Sequence, residues 1–134
     1  MTQTTWEPHE KVVLDTIHDL GLEMQVIFNK GAVMVLPPGV NKATGLASAL
    51  AAMGASAHNT VGVGDAENDH ALLAACECAV AVANALPALK EAADIVTAAE
   101  NGAGVSELIE ALLRDDLAGY GSRLTRPERP ARQR

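Results

Sequence analysis

Two carboxylates four residues apart, Asp65 and Asp69, stand in the segment VGVGDAEND at 61–69. Val61, Gly62, Val63 and Gly64 ahead of them read as a short strand, and a helix starts three or four residues later. Open α/β sheets bind ligands at the C-terminal ends of their strands, and a helix N-terminus favours anions such as phosphate. Hard carboxylate oxygens with phosphate nearby suit Mg²⁺, which takes one or two carboxylates and keeps several waters. Two competing chemistries fail on spacing. A dinucleotide fingerprint needs glycine where Glu67 stands and a ribose-binding acid after the next strand, where 81–83 is Ala-Val-Ala. A calcium loop starting at Asp65 needs glycine and glutamate where the chain has His70 and Cys76. An acidic cluster that merely caps the helix stays open at this level.

Lys42 lies in PPGVNKATGL at 37–46, in the first turn of a helix that Asn41 caps. The helix dipole favours negative charge there. A lysine is explained either by phosphate or carboxylates beside it or by plain solvation, and both readings stay open. Asn84, after the next strand, reads as a turn or capping residue. His70 directly follows Asp69 and faces either the crevice or, as the plainer reading, solvent.

The elements that must hold these residues are set by periodicity. Val12, Val13, Thr16, Ile17 and Leu20 fall at helical spacing over 9–20, and Gly21 stops that helix. Residues 22–28 alternate as a strand, Asn29-Lys30-Gly31 is a hairpin turn, and 32–36 returns. Pro37-Pro38-Gly39 breaks the pattern. From Asn41 on, helices (41–53, 68–75, 86–92, 105–113) alternate with strands (60–64, 78–82, 95–97). That alternation implies βαβ units and an α/β fold with a parallel sheet. The expected division is an N-terminal tail at 1–8, a helix-plus-hairpin unit at 9–38, a parallel-sheet core at 39–113 and an Arg/Pro-rich linker or tail at 114–134.

Composition removes several classes. The chain has 134 residues, enough for one domain, and a net charge of −7. The last thirteen residues carry five arginines against one glutamate, so the rest is more acidic still. An acidic body argues against nucleic-acid binding by the folded part, and the arginine tail reads as a solvated linker. No apolar run approaches the roughly 20 residues of a membrane helix. The N-terminus has no signal-peptide core, so a cytoplasmic location is expected. Cys76 and Cys78 make neither a disulfide framework nor a zinc site and read as small apolar residues.

Together these motifs resemble the haloacid dehalogenase superfamily of hydrolases, in the subfamily with the Cof-type cap. PPGVNKATGL matches that family's third motif and VGVGDAENDHALL its fourth, GDxxND. The segment AVAVANALPALKEAADIVTAAENGAGVSELIE matches the family's stretch from that motif to the final helix. The resemblance implies a Rossmann-like sheet with helices on both faces, present as a partial core, preceded by a remnant α+β cap. It implies a Mg²⁺-dependent phosphatase acting on small phosphorylated metabolites. Asp65 would bind Mg²⁺. Asp69 would support the metal shell or pair with Lys42. Lys42 would stabilise the nucleophile and the phosphoryl charge, and Asn68 would contact substrate or phosphate.

The family's nucleophile belongs to a DxD motif on the first strand, and the sequence has no DxD. Asp15, in VVLDTIHD, is the nearest imitation, but Ile17 stands where the second aspartate belongs and the periodicity is helical. No nucleophile is therefore assigned, and the expectation is a fragment that is inactive unless a complementary chain supplies that strand. Without it, the 60–64 strand becomes an apolar edge. The alternative is a non-catalytic interaction module or homodimer using that edge.

Overall fold

The computed structural model describes residues 3–120. Its first unit is a three-stranded antiparallel sheet in the order β1-β3-β2, with β1 at Gln3–Trp6, β2 at Gln25–Asn29 and β3 at Ala32–Leu36. Residues 3–6, expected as tail, pair with β3 in the register Gln3 to Val35 through Trp6 to Ala32. The helix α1, Glu10–Asp19, links β1 to β2 and buries no residue. The strand β2 starts three residues later than the alternation suggested, because 21–24 is taken up in leaving α1. Lys30 and Gly31 form the hairpin turn, both at positive φ (49° and 86°). Two left-handed central residues match the right-handed strand twist, the usual geometry of a two-residue hairpin.

The second unit is parallel. The helix α2, Lys42–Met53, starts at Asn41, whose side chain accepts from the Thr44 amide while the Thr44 hydroxyl accepts from the Asn41 amide. It ends at Gly54 with φ 65°, a left-handed stop that glycine adopts without penalty. The strand β4, Val61–Gly64, leads through a 3₁₀ turn at Glu67–Asp69 into α3, His70–Ala75. Then come β5 (Cys78–Ala81), α4 (Pro87–Ala92), β6 (Ile95–Val96) and α5 (Asn101–Asp115). Sheet order is β4-β5-β6.

Side-chain alternation along β5 divides the core. Ala79 and Ala81 pack with Leu73 of α3 and Leu89 of α4. Val80 packs with Ile95 and with Leu108, Ala111 and Leu117 from the C-terminal helix and its exit. The sheet is thus covered on both faces, as parallel sheets require. The helix α5 extends beyond 105–113 at both ends, and the core continues past 113: Leu117 is buried and the Tyr120 hydroxyl bonds Glu107. The expected tail therefore starts later than 114, and its arginine-rich part lies outside the described residues. Among the described residues β4 has no partner on its outer side, so the expected apolar edge is present.

Candidate functional site

Asp69 anchors the loop that follows β4. Its carboxylate is nearly sealed from solvent, with the residue 4% exposed. Oδ2 accepts the backbone N–H of Asp65 at 2.9 Å and of Ala66 at 3.2 Å. Oδ1 takes the Lys42 ammonium. Burial alone pushes the Asp69 carboxyl up, but the Lys42 ammonium and the two amides outweigh it and hold the carboxyl below the ordinary aspartate range. Gly64 makes the close approach possible. A Cβ there would lie 2.6 Å from the Asp69 Cβ and 2.7 Å from Oδ2, so the strand must end in a residue without a side chain.

Lys42 resolves its two sequence readings in favour of a partner. Its side chain remains 47% exposed, yet its ammonium crosses 27 residues of sequence to the buried carboxylate. The capped first turn of α2 aims it there. Asp65, at the exit of β4, is oriented by its own N–H on Asp69. Its Oδ2 takes the Lys30 ammonium at 2.5 Å, and the Lys30 backbone N–H donates to Glu67 Oε2 at 3.1 Å. The hairpin turn thus sits on the acidic loop.

Lys42, Asp65 and Asp69 open on a cleft of about 410 Å³ that Val63, Val82 and Asn101 also line. Asn68, in the 3₁₀ turn, is half-buried and is not part of that lining. His70 is exposed, as the plainer reading had it, and Asp15 is exposed on α1, outside the cleft. Asn84 exchanges bonds with Asn101: its Nδ2 donates to Asn101 Oδ1 at 2.8 Å and its Oδ1 accepts the Asn101 N–H at 2.9 Å. That pair fixes Asn101 at φ 51° on the cleft wall. Sequence reasoning missed Lys30 and Asn101. The glycine-rich run after Asn101 masked a helix start, and the turn signal at 29–31 already accounted for Lys30.

Among the described residues no group of three or more histidine, cysteine or acidic side chains gathers to hold a metal. The donor chemistry still fits a water-rich Mg²⁺ site built on one or two carboxylates. The Lys30 ammonium rests on Asp65 Oδ2. Both Asp69 oxygens are engaged within the protein, which leaves Asp65 as the better-placed ligand of the two.

The sequence matches the haloacid dehalogenase-like hydrolase family over residues 8–109. A phosphoglycolate phosphatase of Saccharolobus solfataricus is 38% identical over 100 residues, which are 75% of this chain and 42% of that protein. One from Methanothermobacter thermautotrophicus is 38% identical over 73% of this chain and 45% of its own length. A solved HAD subclass IIB sugar phosphatase superposes with a TM-score of 0.71 at 26% identity, covering 84% of this chain and 43% of that one. The chain therefore spans less than half the length of these relatives.

Proposed function

The chain belongs to the haloacid dehalogenase-like hydrolases, and from that membership we propose that it carries the metal- and phosphate-handling part of a phosphatase for small phosphorylated metabolites. The relatives named for phosphoglycolate make that ester the first substrate to test. The observation that carries the reading is the Lys42–Asp69 pair beside Asp65 on one cleft. Bound at Asp65, Mg²⁺ would neutralise phosphoryl charge and orient the group for in-line attack. Asp69 holds the loop by accepting two backbone N–H groups and holds the Lys42 ammonium at the cleft. Lys42 offers the phosphoryl oxygens an ammonium already in position, so little reorganisation is needed as charge develops. Asn68 is kept as a substrate contact that would need to turn toward the cleft.

Covalent transfer through an aspartyl-phosphate needs a carboxylate nucleophile. The family's DxD motif is absent from these residues, so turnover depends on a strand that carries it. The open side of β4 is the place such a strand would pair. The same edge favours a second reading, a non-catalytic module that binds a partner or a second copy.

The test pairs the purified chain with its Asp65→Ala variant, assayed for Mg²⁺ binding and for hydrolysis of 2-phosphoglycolate and p-nitrophenyl phosphate. The expected result is Mg²⁺ binding lost in the variant, with no hydrolysis until a DxD-bearing segment is supplied in trans. Hydrolysis by the chain alone, abolished by Asp65→Ala, would show that one of its own carboxylates is the nucleophile. A folded chain without Mg²⁺ affinity would leave the interaction module as the function.

A further inference from the structure

Lys30 is an unusual occupant of its position. The first central residue of a two-residue hairpin at positive φ is ordinarily Asn, Asp or Gly, and here it is a lysine at φ 49°. Its side chain does not turn to solvent alone. It spans 35 residues of sequence to Asp65 Oδ2 at 2.5 Å, while its backbone N–H holds Glu67 at 3.1 Å. Both partners belong to the loop between β4 and α3, so the hairpin tip is fastened to that loop by two bonds from one residue. The ion pair is open to water, with the Lys30 side chain 58% and the Asp65 side chain 34% exposed. Such pairs are weak and exchangeable.

From this geometry we infer that Lys30 is a latch that competes with the divalent cation for Asp65. Without metal, the ammonium neutralises Asp65 and holds the hairpin down. With metal on Asp65, a dication would stand a few ångströms from the ammonium on Oδ2, and like charges that close repel. The ammonium is then driven off Oδ2, and the hairpin tip keeps the Glu67 bond but loses the Asp65 one. Metal loading and loosening of the hairpin would be one event. The inference rests on the proposed role of Asp65 as metal ligand and adds a consequence for a different element.

Lys30→Asn is the informative variant, since asparagine suits the turn while removing the ammonium. Mg²⁺ would be titrated calorimetrically into the wild-type chain and into Lys30→Asn. In parallel, the Lys30 side-chain resonance of the wild type would be followed by NMR, with Asp65→Asn as the reference for a released lysine. The expected result is about threefold to tenfold tighter Mg²⁺ binding in Lys30→Asn, as a competitor is lost. The wild-type Lys30 resonance should also move with Mg²⁺ toward its position in Asp65→Asn. Mg²⁺ binding that leaves the Lys30 resonance in place, or that is equally tight in both proteins, overturns the latch alone. Absence of Mg²⁺ binding in both folded proteins overturns the metal role of Asp65 and the latch with it.

Discussion

Asp69 has exchanged water for two backbone N–H groups and one ammonium. A carboxylate so placed must stay ionised to keep its donors satisfied. Because its folded pKa lies below the unfolded value of about 3.9, its contribution is fully present above that value and is lost as pH falls through the lower folded one. Lys42→Met removes the cation but leaves the carboxylate desolvated. The expected result is a loss of about 1 kcal/mol at neutral pH, held at the low end because Lys42 is half exposed, and acid unfolding at a higher pH than wild type. Circular dichroism across the acid range measures both. The residue types and their spacing singled out Asp65, Asp69 and Lys42 in the sequence as candidates, and the fold gathers the three on one cleft. The division of labour was not legible, because it depends on which oxygen each donor reaches. Lys30 left no signal, since a turn residue meeting a carboxylate 35 positions away is a tertiary event.

The helix α5 shows how an element can be set by contacts that its own sequence opposes. It opens with Asn101-Gly102-Ala103-Gly104, of which all but Ala103 are weak helix formers, and Gly104 is buried. A Cβ at Gly104 would meet the Ala99 carbonyl oxygen at 2.5 Å, Thr97 Oγ1 at 2.7 Å and Val82 Cγ1 at 2.9 Å. Glu107, one turn on, accepts the amides of Ala98 and Ala99 and the Tyr120 hydroxyl, which ties the β6–α5 connection to the helix face. Propensity alone says that Gly104→Ala should stabilise by about 1 kcal/mol. The packing says the opposite, and the expected outcome is a loss of about 1–3 kcal/mol from overpacking against backbone, read from a urea melt. The same conflict explains the boundary errors. Alternation and caps exposed β2 to β6 and α1 to α4, because those signals are local. The start of α5 was hidden by Gly102 and Gly104, of which Gly104 answers to a close approach to Thr97, Ala99 and Val82, and β1 was hidden because a four-residue strand gains its stability only from pairing with β3.

At the scale of the whole molecule, the parallel sheet of the described residues ends on β4, the strand that delivers Asp65. An edge strand offers a row of unpaired N–H and C=O groups, and natural proteins usually blunt such edges with charge, proline or a covering element. The β4 sequence Val-Gly-Val-Gly brings neither charge nor proline to that edge. The first unit adds Val12, Leu14, Leu20 and Leu22 as exposed apolar side chains on and after α1. The chain spans only 42–45% of the length of the two phosphoglycolate phosphatases it resembles. The two readings of function then predict different solution behaviour for the purified chain. If β4 is an edge awaiting a DxD-bearing strand, a synthetic peptide of that strand should raise the melting temperature and suppress self-association. If the edge serves a homodimer, the peptide should fail to compete, and sedimentation should show a dimer that persists down to micromolar concentration. A clean monomer from micromolar to millimolar concentration, unaffected by the peptide, would remove edge pairing from both accounts and leave only the cleft to explain what the chain does.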